Sequence, residues 1–390
     1  MRRTASEVRI GTPVVMMVKG NYGLTGGPET ILATMARHLD RTKVRPVLAL
    51  VHRSGVAESP QLSAGQLAIE RCDVTWSGLV ASPLAALRMA KVVAYYGADL
   101  IHTHDMRADL LAYLLTRRRK VPWIAHVHGW LGHTQTGRWK LYERMDQWLV
   151  RYADLVLVGS TVTRDEVLRA GARRVEVLPN AIQIEPDRSW EAAAAKVRAE
   201  INAGPEAVVV GMSGRIHPGK GQQFLIQAIA KLAGEGRPIR GLVVGEGPNL
   251  EHLRTLATQL GAGGLVTFAG FRPELTPYVA AMDVFVAPSL KESLPLAVLE
   301  AMSLRRATVA SRVGDLPHVI EDGKNGLLIP PGDVEALCAA IRQLAADQAV
   351  RARMGAEARA TIVARYSAEA MSRRLEEIYL SEIGRRHSDS

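Results

Sequence analysis

The hydrophobic positions of the chain come in short runs, separated by longer amphipathic stretches. Segments such as Pro28–Leu39 and Asp105–Arg117 carry the apolar spacing of helices. Alternation of buried strands with helices predicts a parallel, doubly wound α/β sheet. In the first half the runs that we predict as strands are Thr12–Val18, Val44–Val51, Leu100–Thr103, Trp123–Val127, Leu155–Val158 and Val175–Leu178.

The same pattern starts again after Gln183–Ser189, which we interpret as a linker. Predicted strands follow at Ala207–Met212, Gly241–Val244, Val266–Ala269, Val284–Ala287, Thr308–Ala310 and Leu327–Ile329, and predicted helices at Gln222–Leu232, Asn249–Leu260, Pro295–Met302, Val334–Ala346 and Ser367–Ile383. We therefore expect a Rossmann-like acceptor domain over 1–185 and a Rossmann-like nucleotide-sugar domain over 186–366. The last helix, about 367–385, should pack back on the first domain. Such sheets bind ligands at their carboxyl edges, so we expect a cleft that both domains share.

Composition is that of a well-packed protein, with 47% hydrophobic and 23% charged residues among 390. Cys72 and Cys338 lack metal-like spacing, and we interpret them as thiols in a reducing compartment. No apolar run approaches the roughly 18 residues of a membrane span, and Val14–Val18 is too short for a signal-peptide core. We therefore expect a cytoplasmic protein.

Positive charge is concentrated in the first half. Of the net charge of +10, residues 1–185 contribute 25 Lys/Arg against 16 Asp/Glu, and the rest 24 against 23. An excess of positive charge favours an anionic partner, such as a membrane surface, a phosphorylated acceptor or nucleic acid. The alternative is that these charges form a solvated face without a partner.

Tryptophans lie among these basic residues, a combination that suits the inner face of the plasma membrane or a lipid-linked phosphate acceptor. The alternative is that Trp123 and Trp148 belong to the core and that the charges are solvated. The segment contains Trp123, Trp130, Trp139 and Trp148 with Arg117–Lys120, Arg138, Lys140, Arg144 and Arg151.

Two glycine-containing junctions suggest contact with phosphate. The segment from Gly20 to Glu29 follows the first strand and includes Gly26 and Gly27, but it lacks the P-loop and dinucleotide patterns, so a structural turn is equally open. The segment Ser213–Gly221 places Arg215 and Lys220 before a helix, where they could bind phosphate oxygens or form a surface basic pair. The sequence has no Asp-x-Asp pair, so cations and helix dipoles would replace a metal.

Two further junctions carry glutamates. Gly245 and Glu246 begin a Gly-Glu-Gly-Pro turn after a strand, which could hold a base or ribose. Glu292 lies in a loop, and Glu300 lies on the next helix with seven residues between them. The backbone around Leu294, Pro295 and Leu296 begins that helix, and its unpaired N–H groups can face an anion. The alternative is a solvent-facing helix with incidental glutamates.

Histidines follow two of the predicted strands as His102-Thr-His104 and His126-Val-His128. Taken alone, either pair is better explained by loop packing, although two His-x-His pairs could also suggest a metal. We discount a metal because no adjacent Cys or Asp completes a recognisable ligand set.

Taken in order, these motifs resemble those of the retaining glycosyltransferases of family 4, which have the GT-B fold, over about residues 12–380. The resemblance implies that Arg215 and Lys220 bind the donor diphosphate and that Glu300 binds the ribose. It implies that Glu292 and His128 contact the transferred sugar. Amides at Gly26–Gly27 and Leu294–Leu296 would complete the phosphate site, and residues at Gly245, Glu246, Phe271 and Arg272 would flank the base.

The resemblance also implies a metal-independent hexosyltransferase without a cofactor, which retains anomeric configuration by front-face attack. UDP is the first candidate for the donor nucleotide and GDP the second, on the basis of family frequency alone. The acceptor would be a glycan or lipid-linked precursor of the cell surface. Departures from the family pattern at Ala181, Gln183, Ser293, Arg305, Asp315 and His318 leave the donor sugar open.

Three alternatives stay open at this point. A nucleotide-sugar 2-epimerase could use the same scaffold without an acceptor. A nucleic-acid-binding protein would explain the charge, although no recognised module is visible and we expect no nucleic acid partner. A protein that senses nucleotide sugars without catalysing a reaction would have the same binding residues.

Overall fold

The computed structural model describes residues 11–21, 27–53, 62, 67, 69–76, 83–116, 121–130, 138–184, 186 and 190–388. The chain forms two compact units. Unit 1 comprises Met1–Pro179 and Ala368–Ser390, and unit 2 comprises Asn180–Ser367. The division precedes the segment that we interpreted as a linker, because Ile182 is bonded to unit 2: its N–H donates to the Tyr366 carbonyl at 3.0 Å.

Both units are built from alternating strands and helices. The strands are β1 Val14–Asn21, β2 Arg45–Arg53, β3 Glu70–Trp76, β4 Leu100–Thr103, β5 Trp123–Val127, β6 Leu155–Val158, β7 Val175–Val177, β8 Val208–Ser213, β9 Ile239–Val244, β10 Val266–Gly270, β11 Val284–Ala287, β12 Ala307–Ser311 and β13 Leu327–Ile329. The helices are α1 Gly27–His38, α2 Pro83–Tyr96, α3 Met106–Thr116, α4 Arg138–Leu149, α5 Thr161–Arg169, α6 Glu191–Glu200, α7 Gln222–Gly234, α8 Leu250–Gln259, α9 Thr276–Ala280, α10 Leu296–Ser303, α11 Leu316–Val319, α12 Val334–Ala346, α13 Gln348–Arg365 and α14 Ala368–Ser388.

Unit 1 contains a seven-stranded sheet in the order β3-β2-β1-β4-β5-β6-β7. Its strand pairs are parallel, and their central residues are almost wholly apolar because helices cover both faces. The strand order reverses between β1 and β4, and the carboxyl ends of these two strands are where such a sheet binds ligands.

Helix α14 belongs to unit 1, although it follows unit 2 in the chain. Its buried carboxylates accept bonds from the rest of that unit. Glu376 accepts from the backbone N–H of Asp40 at 2.8 Å, and Glu382 receives two bonds of 2.7 Å from the Arg174 guanidinium. Two parallel bonds to one carboxylate fix the orientation as well as the position of the helix.

Unit 2 contains a six-stranded parallel sheet in the order β10-β9-β8-β11-β12-β13. One hydrophobic cluster, which includes Val210 and Ile229, contains residues of α7 and α12, and another, which includes Phe285 and Met302, contains residues of α10 and α13. The order reverses between β8 and β11. The prediction of two doubly wound parallel sheets is confirmed.

Other features bear on the sequence predictions. Cys72 and Cys338 are free, and burial raises the pKa of the Cys72 thiol to about 11, so it is an unreactive thiol at neutral pH. Within the described ranges, no helix has both the length and the apolar character that crossing a membrane requires.

Candidate active site

An ion pair marks the point where the strand order of unit 2 reverses. Lys220 follows β8 and Glu292 follows β11, and the Lys220 ammonium lies 2.5 Å from Glu292 Oε1. The Ser289 hydroxyl donates to the same oxygen at 3.0 Å. The lysine side chain is 36% exposed and the glutamate 11%, so the lysine can be reached from solvent while the carboxylate is largely enclosed. The sheet therefore brings together two residues that the sequence predicted separately.

Glycines allow the loops around this pair to touch through their backbones. A Cβ on Gly247 would lie 2.0 Å from the Ile216 carbonyl oxygen, a distance that no side chain can occupy. Gly221 has φ +79°, and a Cβ there would lie 2.1 Å from the Pro288 carbonyl oxygen. These positions require glycine because the loops after β8, β9 and β11 are in direct contact.

The other predicted residues of the loops after β8, β9 and β10 lie near one another along the backbone. The Ile216 N–H, next to exposed Arg215, donates to the Glu246 carbonyl at 2.8 Å. Gly245 donates to the Gly270 carbonyl at 2.8 Å, and the Glu246 carboxylate accepts from the Phe271 N–H at 3.3 Å.

Two side chains beyond β10 present flat surfaces. Phe271 is 61% exposed, and the Arg272 guanidinium lies over the ring of Tyr278, 5.0 Å from its centroid. An exposed ring and a stacked guanidinium can both contact the face of a base.

Helix α10 begins at Leu296, directly after Pro295, beside the loop that holds Glu292. The carbonyl of Leu294 accepts from the Asn180 side-chain amide at 3.0 Å, which fixes the approach to the helix. Glu300 lies one turn along α10, and burial raises the pKa of its carboxyl. A half-buried carboxyl of this kind can accept hydrogen bonds from hydroxyl donors.

A second set of charged groups, which the sequence analysis missed, lies where the strand order of unit 1 reverses. Lys19, at the end of β1, is 3.3 Å from Asp105 Oδ2 and 3.4 Å from Glu29 Oε1. Burial opposes ionisation of Asp105, but Lys19 and the N–H of Gly20 outweigh it and lower its pKa. The sequence signal was a lysine within an otherwise apolar strand. Gly27 begins α1 nearby and is exposed, whereas Gly26 lies outside the described residues.

His128 is part of a stack of imidazoles in unit 1. Its Nε2 lies 3.3 Å from Nδ1 of His104, and its ring stacks on His126 with centroids 4.4 Å apart and planes 9° apart. Burial lowers the pKa of His128 well below its usual value, with the neighbouring His126 and Lys19 adding to the effect. The ring is therefore neutral at pH 7 and can donate or accept a hydrogen bond without carrying charge.

Two buried carboxyl groups lie further along the same unit. Burial and the nearby Asp146 raise the pKa of Asp109 well above its usual value. Burial also raises the pKa of Asp146, although the hydrogen bonds that Asp146 accepts, one of them from Trp130 Nε1 at 2.7 Å, oppose the shift. Burial thus favours the neutral form of both carboxyl groups.

Comparison with known proteins agrees with this architecture. Residues 26–181 match the family described as glycosyl transferase 4-like domain, and residues 207–347 match the family described as glycosyl transferases group 1. The alpha-D-kanosaminyltransferase of Streptomyces kanamyceticus is 30% identical over 302 residues, which are 73% of this chain and 77% of that protein. The chain belongs to the family 4 glycosyltransferases and is a glycosyltransferase enzyme.

Two other proteins extend the comparison. The lipopolysaccharide core biosynthesis glycosyltransferase LpsE of Rhizobium meliloti is 35% identical over 175 residues, which are 45% of this chain and only 50% of LpsE. The crystal structure of Anabaena HepE in complex with UDP has a TM-score of 0.80 and 23% identity, and covers 94% of this chain and 99% of its own. HepE has also been crystallised with UDP-glucose. At this identity the likeness to HepE concerns the fold.

Proposed function

We propose that the chain transfers a hexose from a UDP-sugar to a glycan or lipid-linked acceptor, with retention of configuration and without a metal ion. The observation that carries the donor half is the Lys220–Glu292 pair at the carboxyl edge of unit 2, beside a helix that begins at Leu296. Cationic side chains and helix N–H groups are the two means by which a protein binds diphosphate without a metal.

The donor diphosphate would take Lys220 away from Glu292, because a phosphate oxygen is a stronger partner for the ammonium than one shared carboxylate oxygen. Exposed Arg215 is free to turn towards the same phosphates. Glu292 would then be free to accept hydrogen bonds from hydroxyls of the transferred sugar, and Glu300 from the ribose. Binding of the donor thus prepares the carboxylate that orients the sugar.

Positive charge held against the leaving diphosphate would supply the main catalytic effect, typically about 3 kcal/mol for each well-placed donor. In front-face attack the leaving phosphate oxygen takes the acceptor proton, so no separate base is needed. We assign neutral His128 a contact with the donor sugar, as the family resemblance implies. UDP is supported by the UDP complexes of HepE.

The test is turnover with UDP-hexoses in the presence of EDTA, with NMR of the product to read the anomeric configuration. Release of UDP that depends on acceptor, with a product of the donor's configuration, is expected. An isomerised nucleotide sugar in the absence of acceptor would instead identify an epimerase. Binding of UDP without any product would indicate a nucleotide-sugar sensor. Binding of random DNA but not of UDP would indicate a nucleic-acid-binding protein.

We further propose that unit 1 attaches to anionic membranes through one face formed by α4 and the single helical turn Val150–Tyr152 that follows it. Its exposed side chains recur at helical spacing and combine positive charge with apolar surface. The indole of Trp148 is 43% exposed and lies against the rings of Tyr113 and Tyr152. The face comprises Lys140, Leu141, Arg144, Trp148, Arg151 and Tyr152.

Trp123 does not belong to this face: it is fully buried, and its indole donates to the Thr103 hydroxyl at 2.8 Å. The alternative interpretation of the tryptophans is thus right for Trp123 and wrong for Trp148. Residues 117–120 and the side chains of Arg138 and Trp139 lie outside the described part.

Flotation with phosphatidylglycerol vesicles tests this attachment. Arg144→Ala should weaken binding about fivefold, since a basic residue at an anionic surface contributes about 1 kcal/mol. Arg254→Ala, on exposed α8 of unit 2, is the matched control. Equal binding by both variants, or equal binding to neutral vesicles, would contradict the proposal.

A further inference from the structure

Three histidines of unit 1 lie together on one side of two adjacent strands. In the parallel register of β4 and β5, His102 is paired with Ile124, so that His104 and His126 follow at equivalent positions two residues further on. Alternate residues of a strand share a face. The side chains of His102, His104 and His126 therefore converge, although 22 residues of sequence separate the second from the third.

The nitrogen atoms of these three rings form a compact set. One ring nitrogen from each lies within 4.8 Å of the other two, and all three residues are buried. Among the described residues, Nε2 of His102, Nε2 of His104 and both nitrogens of His126 have no hydrogen-bond partner. A buried polar atom without a partner costs about 1–3 kcal/mol, so a protein does not ordinarily leave several together.

In His102 and His104 the other ring nitrogen, Nδ1, already has a hydrogen-bond partner. Nδ1 of His102 lies 2.6 Å from the Tyr379 hydroxyl, and Nδ1 of His104 lies 3.3 Å from Nε2 of His128. Metal-binding histidines typically use one nitrogen for the metal and donate from the other to a fixed partner. In both histidines this leaves Nε2 as the nitrogen that is available to a metal ion.

The charge nearby also suits a cation. Lys19, whose charge acts on His104, is bonded to both Asp105 and Glu29, so this group of three carries a net negative charge. A divalent ion would not be repelled by an uncompensated ammonium.

We propose that His102, His104 and His126 bind a divalent transition-metal ion of the imidazole-preferring class, such as Zn²⁺, through Nε2 of the first two and one nitrogen of the third. Three histidines are a sufficient set for such an ion, with a fourth position left to water. The sequence argument discounted a metal for want of an adjacent Cys or Asp, but the strand pairing supplies the third ligand from the neighbouring strand.

The ion also has a consequence for His128. With Nε2 of His104 bound to the metal, its Nδ1 must carry the proton and donate to Nε2 of His128. The remaining proton of His128 then resides on Nδ1. This positioning effect rests on the donor contact proposed for His128, whereas metal binding itself does not.

The first experiment uses the full wild-type chain, stripped with a chelator and then loaded with Zn²⁺. X-ray absorption should show nitrogen or oxygen neighbours at about 2.0–2.1 Å and the outer-shell pattern of three imidazoles. One ion per chain and a higher melting temperature than in the stripped protein are expected, with no such change for Mg²⁺. Absence of bound Zn²⁺, or fewer than three imidazoles around it, would overturn the proposal and leave water as the partner of these nitrogens.

The second experiment follows Co²⁺ by its visible absorption. His126→Leu should abolish the tetrahedral spectrum, and Tyr379→Phe, which keeps the ring, should weaken Co²⁺ binding about 10- to 100-fold, as removal of such an outer partner does. His252→Gln, on an exposed face of unit 2, is the control. A tetrahedral spectrum that persists in His126→Leu would overturn the three-histidine assignment, and an unchanged affinity in Tyr379→Phe would overturn the part assigned to His102. Since neither experiment contains a donor, failure here is distinct from failure of the transferase proposal.

Discussion

Replacing Lys220 with methionine should weaken UDP binding about 10- to 140-fold while changing the fold little. The methionine keeps most of the apolar stem and removes the charge. A hydrogen bond to a charged group contributes about 1.5–3 kcal/mol, and each 1.4 kcal/mol is a factor of ten in affinity. The stability effect should be no more than about 1–2 kcal/mol, because the Lys220 side chain is 36% exposed and solvent screens its pair with Glu292.

The partner residue gives a prediction of opposite sign. Lys220 is bonded to Glu292, so at the proposed donor site UDP would have to compete with that carboxylate for the ammonium. Glu292→Gln removes the competing charge and should leave UDP affinity unchanged or raise it up to about fivefold, the equivalent of the roughly 1 kcal/mol that a partly exposed pair contributes. Turnover should fall in the same variant, because Glu292 is the carboxylate that we propose orients the sugar.

Isothermal titration of UDP in the presence of EDTA measures both effects, and urea unfolding measures the stability of each variant. Lys231→Met is the matched control, because Lys231 lies in the last turn of α7, at the opposite end of the helix from Lys220, and forms an exposed pair with Glu335. If Lys220→Met bound UDP as tightly as Lys231→Met, the diphosphate would lie elsewhere. If Glu292→Gln lost affinity as strongly as Lys220→Met, the carboxylate would be part of the nucleotide site rather than its competitor.

Further predictions concern the loops, the buried acids and the last helix. Gly247→Ala should reduce UDP binding at least as much as Lys220→Met, because its Cβ has no room, whereas Gly264→Ala, with nothing within 4 Å, should bind normally in the same titration. Burial raises the pKa of Asp109, so its native state holds a proton that the unfolded state releases, and stability falls as pH rises from the unfolded pKa to the folded one. Asp109→Asn should therefore raise the melting temperature at pH 7 more than at pH 4, and a constant difference would argue against this. Glu382→Gln should lower the unfolding free energy of unit 1 by about 1–3 kcal/mol in urea titrations, since it breaks a charge-assisted pair with Arg174.

Much of the fold could be predicted from the sequence because many of its strands are short, buried and mostly apolar runs. Strands β4, β5, β6, β11 and β13 have the bounds that were predicted, since buried runs flanked by polar residues leave little choice of register. Strand β3 was missed because it alternates charged and apolar residues. It pairs only with β2 at the edge of the sheet, where one face meets solvent. Helix α13 was missed for a related reason, as few of its residues are buried.

The candidate site was predictable in its parts but not in its pairings. The glycines and the two glutamates could be recognised from their spacing, whereas the contact of Lys220 with Glu292 joins residues 72 positions apart and depends on β8 lying beside β11. The bond between His102 and Tyr379 spans 277 positions and depends on where α14 packs. Strand order and the placement of the last helix are set by the whole unit, so no local pattern contains them.

The order of synthesis on the ribosome delays the completion of unit 1, because its last helix is synthesised after unit 2. Unit 2 is one continuous segment, but unit 1 is finished only when α14 emerges, after all of 180–367 has been made. At about 5–20 residues per second this interval is roughly 10–40 s, during which the apolar surface that Leu375 and Tyr379 will cover stays open. Newly made chains should therefore be captured by chaperones through their first 179 residues, and a slower ribosome should lengthen that exposure in proportion.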